Sequence, residues 1–210
     1  SFAVRPGFDA EHVLALRYHD AIGSPRRSGR DPERRDRLVQ ALEGLPGVTR
    51  AAAALKLPYD DEYYSNNLRV VLNGARDTIA VPLQTVTAGY FDVLGIPMVN
   101  GRGFNDDDRT GALPVAIINQ VLSRRLFRGR NPVGQILVID RSEWTIVGVS
   151  GNVSYGSVSN PVEPEVFRVM RQRPGGVTTG IAVRAQGDPA LLAASVRRIV
   201  REFDADVAIT

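Results

Sequence analysis

The 210-residue sequence predicts an α+β fold, with a split β-α-β base built from the two ends of the chain and a small α/β lobe inserted between them. Three observations carry this. A strand–helix–strand pattern occurs near each end, and in both cases an Asp-Pro pair opens the helix, at Asp31-Pro32 and at Asp188-Pro189. Between them the texture changes to short apolar runs punctuated by glycine and proline. The apolar and charged fractions, 43% and 23%, are those of a chain that folds around a core. The base therefore takes residues 1–58 and 165–210, and the lobe takes 59–164.

In order, residues 12–22 alternate Leu14, Leu16 and Tyr18, which is the period of a half-buried strand. A polar, arginine-bearing loop follows at 23–29. Asp31 caps a helix with Pro32 in its first turn, and Leu38, Val39 and Leu42 form its buried stripe before Gly44 stops it. Pro46-Gly47 turns into a small-residue strand over 48–57, ended by Pro58. Residues 59–67 are acidic and tyrosine-bearing and read as a linker. Residues 68–72 and 78–86 are strand-like and form a hairpin through Asn73-Gly74.

The central stretch begins at Thr87, which is expected to cap a short helix carrying Tyr90, Phe91 and Leu94 and ended by Gly95 and Pro97. Gly101 and Gly103 bracket a turn ahead of Asp106-Asp107-Asp108. Residues 113–118 form a strand, and Asn119 caps a helix with Val121, Leu122, Leu126 and Phe127 on one face. A turn at 131–134 leads into strands at 135–139 and 143–149. A long Gly-, Ser- and Asn-rich loop covers 150–164, and 165–171 reads as another strand. The C-terminal unit has a strand at 178–185, a helix with Leu192, Val196, Ile199 and Phe203 inward, and a last strand at 207–209. Packed as a split β-α-β sandwich, the first and last strands are antiparallel neighbours, so both ends leave from one edge.

Several of these segments, in this order, resemble the MacB-like periplasmic core domain of MacB/FtsX-type ABC transporter permeases. They are Pro6–Asp9, Leu45–Val48, Tyr90–Pro97, Gly101–Phe104, Val115–Asn119, Arg124–Phe127, Asn131–Gly134 and Trp144–Val149. The resemblance implies a porter-like base with a small lobe above it, and membrane helices before Ser1 and after Thr210. It also implies a role in transmission: ATP hydrolysed on a separate domain or chain moves the membrane helices, and the periplasmic domains of a dimer open and close. The implied partners are an ABC ATPase, a second copy of the chain and an envelope protein.

The residues themselves exclude several chemistries. Without cysteine the chain has no disulfide, thiolate metal site or cysteine nucleophile. A net charge of +3 is too mild to imply nucleic acid, and no basic-and-aromatic platform accompanies it. No run of about 20 apolar residues is present to span a bilayer. The glycines at 101–103 and 148–151 match neither phosphate-loop pattern, so no nucleotide cofactor is expected in this domain. Asp106-Asp107-Asp108 lacks the spaced ligands of a calcium loop and reads as a solvated turn, as does Asp60-Asp61-Glu62. His12 and His19, the only histidines, fall on opposite faces of the expected strand and cannot share a metal. No G-x-S-x-G elbow anchors a catalytic triad. The expectation is a non-catalytic domain without metal or catalytic residues.

Two surface features remain. Arg26, Arg27, Arg30, Arg34, Arg35 and Arg37 are interleaved with Asp31, Glu33 and Asp36 and read as a solvated helix face, with anionic lipid or a partner protein as the functional alternative. Tyr59, Tyr63, Tyr64 and Tyr155 sit in loops and are the candidate partner-binding residues. Two rival functions stand beside transmission: an FtsX-like regulator that activates a cell-wall hydrolase, and a stand-alone secreted enzyme.

Overall fold

A computed structural model describes residues 7–19, 32–58, 67–72, 78–139, 141–154, 161–172, 180–203 and 208–209. The fold is α+β. Four strands from the chain ends, β1 (Val13–His19), β2 (Val48–Ala54), β10 (Gly180–Ala185) and β11 (Ala208–Ile209), are ordered β11-β1-β10-β2, every neighbour antiparallel. This is the split β-α-β order. Tyr18 pairs with Ile209 and His19 with Ala208, so β11 runs back toward the start of β1 at the sheet's edge.

Residues opposite one another explain what covers each face. Leu14, Val183 and Ala51 form one row, and Leu16, Ile181 and Ala53 the next. On that face lie helices α1 (Pro32–Glu43) and α4 (Ala193–Phe203), which bury Leu38, Leu42, Val196 and Val200 against it. Arg34 donates to the Phe203 carbonyl and ties the two helices together. The chain enters α4 through a 3-10 turn (Pro189–Leu192) capped by Asp188, whose carboxylate accepts from the Ala190 N–H at 2.9 Å.

The opposite face carries Ala15, Ala182 and Ala52 in one row. Three methyl groups in line make a shallow surface that another element can approach closely. Helix α2 (Tyr90–Leu94) and its aromatic neighbours occupy it. Phe91 stacks edge-on to Phe167 with centroids 5.0 Å apart and to Tyr90 at 5.5 Å. The inserted segment therefore folds over the sheet as well as standing off its edge.

That segment also closes on itself, which the sequence pattern does not foresee. Strands β3 (Asn67–Leu72), β4 (Thr78–Val86), β6 (Val115–Asn119), β7 (Ile136–Ile139), β8 (Ser142–Ser150) and β9 (Val166–Val169) pair in the order β4-β3-β7-β8-β6-β9. β9 then pairs with β4, in parallel, and the ring is shut. Val81, Ala116, Ile118, Leu137, Ile139, Trp144, Ile146 and Val166 come from five of these strands and form one cluster, which a closed ring can only place inside. Helix α3 (Gln120–Phe127) adds Leu122 and Phe127 to it.

The Arg168 guanidinium lies over the Trp144 ring, 5.0 Å from its centroid. Trp144 Nε1 is buried and has no hydrogen-bond partner among the described residues. Trp144→Phe is therefore expected to cost about 1 kcal/mol, because the deleted N–H makes no bond, whereas Trp144→Ala should cost about 3–5 kcal/mol. Urea midpoints of the two variants check this.

Several expectations are corrected. β9 was expected in the base, but it pairs with β4 and β6 because its four buried residues close the ring; the end sheet resumes only at β10. β1 begins at Val13; His12 precedes it with φ of 62°, in the left-handed region, so the two histidines do not share a strand. β2 stops at Ala54. Leu113 is two-thirds exposed, and β6 starts at Val115. β5 (Met98–Gly101), a short strand on β8, was not expected at all. The Asn73-Gly74 turn lies outside the described residues, although β3 and β4 pair as a hairpin would.

Candidate functional site: the joint between end sheet and barrel

Among the described residues, the end sheet and the barrel are joined by a short ladder. Ala54 opposes Val86, Leu55 N–H donates to the Thr85 carbonyl at 2.8 Å, and Thr87 N–H donates to the Ala53 carbonyl at 2.9 Å. Here Thr87 departs from its expected role. Its hydroxyl accepts from the Ala53 N–H at 3.0 Å, and α2 starts behind Gly89 with no side-chain cap. With its hydroxyl turned to a β2 amide, Thr87 makes no cap bond to α2, whose N-cap is Gly89. Thr87 is a stitch between the two bodies.

The second connection is an arginine. Arg184 projects from β10 on the α2 side of the sheet, and its side chain is 19% exposed. Nε donates to the Val93 carbonyl at 2.9 Å, where the last turn of α2 leaves acceptors without helical partners. Nη1 donates to the Asp9 carboxylate at 3.1 Å and to the Glu11 carbonyl at 3.2 Å, and Nη2 donates to the Asp9 carbonyl at 3.0 Å. Asp9 N–H in turn donates to the Leu94 carbonyl at 2.8 Å. One guanidinium thus joins three pieces of chain: β10, the end of α2, and the segment leading into β1.

That lead-in segment is also held by shape. Gly95, left-handed at φ 62°, caps α2, and a Cβ there would sit 2.9 Å from the Asp9 Cβ. A Cβ on Gly7 would start 1.8 Å from the Asn152 carbonyl oxygen, so only glycine lets the backbone pass there.

A third connection runs through Arg171, in the 3-10 turn Met170–Gln172 that follows β9. It bonds Asp36 on α1 through Nε and Asp106 in the central turn through Nη1, the latter at 2.7 Å. Partial burial pulls the Arg171 pKa down, but its bonds and attraction to Asp36 and then Asp106 outweigh this and raise it. Asp36 is the stronger arm: its side chain is 18% exposed, whereas Asp106 is 91% exposed and well screened. Gln172 adds two bonds, accepting from Val115 N–H at 3.0 Å and donating to the Leu113 carbonyl at 2.8 Å.

The acidic turn serves structure. Asn105 Oδ1 accepts from the Asp107 N–H, and Asp108 takes both Arg102 Nη groups, at 2.7 and 2.8 Å, and the Asn105 N–H at 2.9 Å. Burial pushes the Asp108 carboxyl up, but the hydrogen bonds from Arg102 and Asn105 and the Arg102 charge prevail and hold it below the ordinary value of 3.8. With the folded-state value depressed, the stabilisation is complete above the ordinary value and is lost as pH falls through the folded one. Asp108→Asn should therefore cost about 1–2 kcal/mol at neutral pH and flatten the loss of stability below about pH 4. Urea midpoints at neutral and acid pH test both halves.

The other sequence candidates distribute as follows. Tyr59, Tyr63, Tyr64 and Tyr155 lie outside the described residues, as do Arg26, Arg27, Arg30 and Asp60-Asp61-Glu62. Arg34 and Arg35 are half-buried along α1, Arg37 is exposed, and Asp36 among them faces Arg171. The residues that tie the joint, Arg184, Arg171 and Thr87, were not singled out for this role. Their signal is long-range pairing, which no local spacing displays.

The sequence profile of the MacB-like periplasmic core domain matches residues 3–199. The chain belongs to this family. MacB-like relatives confirm the fold over almost the whole chain. The periplasmic region of MacB from Actinobacillus actinomycetemcomitans superposes with a TM-score of 0.69 at 14% identity, over 97% of this chain and 90% of that one. The extracellular domain of the noncanonic ABC-type transporter YknZ from Gram-positive bacteria superposes with a TM-score of 0.63 at 14% identity, over 94% and 99%. In sequence, the uncharacterized ABC transporter permease YknZ of Bacillus subtilis is 25% identical over 116 residues, 55% of this chain and 26% of that protein. The macrolide export ATP-binding/permease protein MacB of Burkholderia cenocepacia is 30% identical over 113 residues, 52% of this chain and 17% of that protein. The matched part spans about a quarter or less of these relatives. Among the described residues, no helix of this MacB-like domain is long and apolar enough to cross a membrane.

Proposed function

We propose that the chain is the extracytoplasmic domain of a MacB- or YknZ-type ABC permease and works as a stiff, non-catalytic transmission element. Membrane helices join it at both ends and lead to an ABC ATPase, which holds the ATP; the domain itself carries no cofactor. Hydrolysis shifts the helices, and the domains of a permease dimer open and close against a substrate or an envelope partner.

One observation carries this reading. β11 runs antiparallel beside β1 at the edge of the sheet, its last described residues heading toward the end at which β1 begins. A pair of helices attached there drives the domain as one lever. Stiffness follows from the joint: the barrel is held to the end sheet by a ladder, an arginine over α2, and Arg171 reaching α1.

The test uses the full-length permease reconstituted with its ATPase. Spin labels at the exposed positions Gln40 on α1 and Arg125 on α3 of one copy should keep a single distance in all nucleotide states. Labels at Arg125 in two copies should move relative to each other. A nucleotide-dependent change in the distance within one copy would overturn the stiff element.

A further inference from the structure

We propose that Arg184 and Asp9 form a force-bearing clasp, so that pull on the lead-in segment passes into α2 and the barrel before it reaches β1. The inference rests on the transmission reading above and names the residues that perform it.

The need for such a device comes from geometry. Antiparallel neighbours at a sheet edge peel apart one hydrogen-bonded pair at a time, and among the described residues β11 contributes two pairs. A domain driven from its ends without other support would fray along this edge before its barrel moved. The lead-in segment avoids this by anchoring ahead of the strand. Asp9 offers its carboxylate and carbonyl to Arg184, and its N–H to Leu94. Glu11 adds a carbonyl, and Ala185 N–H donates to the His12 carbonyl at 2.8 Å. Gly7 threads against Asn152, whose side-chain carbonyl accepts from the Val121 N–H of α3 at 3.1 Å.

Three of these bonds, two to Arg184 and one to Leu94, converge on Asp9 and are loaded together, whereas the pairs of β1 are met one after another along the strand. The far side of the clasp is the end of α2, whose Tyr90, Phe91, Val93 and Leu94 are buried in the core common to the end sheet and the barrel. Load entering at Asp9 is therefore spread over both bodies at once. Arg184 suits the post because its planar fork holds several acceptors in fixed directions.

The test is single-molecule pulling on the 210-residue chain in two geometries, with handles at residues 1 and 210 or at residues 125 and 210. Arg184→Ala and Asp9→Asn are compared with the parent; the second variant keeps the side chain's shape if the first folds poorly. In the first geometry both should release an early step of about 20 Å, the length of residues 7–12, at a force below the parent's first rupture. In the second geometry unfolding should be unchanged. An equal loss in both geometries would make the pair merely structural, and no early step in the first would remove the clasp; either result overturns the proposal. The permease reading is tested separately by the spin-label distances, so the two fail independently.

Discussion

Gly148→Ala should lose about 3–5 kcal/mol, enough to leave much of the protein unfolded at 37 °C. Gly148 on β8 faces Gly101 on β5, and there the two backbones touch. A Cβ on Gly148 would lie 2.2 Å from the Arg102 carbonyl oxygen and 2.7 Å from the terminal methyl of Met98. The methyl can swing away, but the carbonyl cannot. Its residue is pinned by the bond from Arg102 N–H to the Val147 carbonyl, 3.0 Å long, and by the ion pair to Asp108. Gly101→Ala should be as damaging, since its Cβ would meet the Val147 oxygen at 2.2 Å and its φ of 68° is hostile to alanine. Gly103→Ala is the control: nothing lies within 4 Å of the added carbon, and its urea midpoint should stay close to the parent's.

Asn119→Ala should cost about 3–4 kcal/mol, from several buried polar groups losing partners at once. Asn119 is 1% exposed. Its Oδ1 accepts from Leu122 N–H at 2.9 Å, which caps α3, and from Glu165 N–H at 3.1 Å. Its Nδ2 donates to the Glu163 carbonyl at 2.7 Å. The residue thus sets the start of a helix and the approach of the ring-closing strand in one place. Asn119→Ser should recover about 1 kcal/mol, because a serine hydroxyl can still cap the helix but does not reach residues 163 and 165. Chemical denaturation of the three proteins gives the ranking, and equal losses for alanine and serine would show that capping contributes nothing here.

Asn119 also marks how far the sequence could be read. Its capping role was legible because a cap acts on the next three residues. Its bonds to Glu163 and Glu165 were not, because they join positions more than forty residues apart. The same division runs through the molecule. The helix beginning at Pro32, the turn capped by Asp188, the strand β1 and the hairpin-like β3 and β4 are local features and legible. The order β11-β1-β10-β2 followed from pairing two such units. The closure of the barrel was invisible, since β9 reads as one more apolar strand whichever neighbours it takes. Thr87 was misread for a related reason: a threonine ahead of a helix resembles a cap until the strand that claims its hydroxyl is seen. Within the joint, Asp9 stood in a recognisable motif, but neither its arginine partner 175 residues away nor the Asp36–Arg171 pair leaves a trace in local spacing.

The closed barrel has a consequence for how the chain is made. Its closing strand ends at Val169, long after β4 and β6 have been synthesised. Until that strand arrives, both of those strands present an open hydrogen-bonding edge and an apolar face, the two properties that recruit other chains. Damage within 166–169 should therefore surface first as aggregation of newly made protein, with a lower yield of folded domain than its equilibrium stability would suggest. Ring closure is a biogenesis checkpoint, passed late and once per molecule.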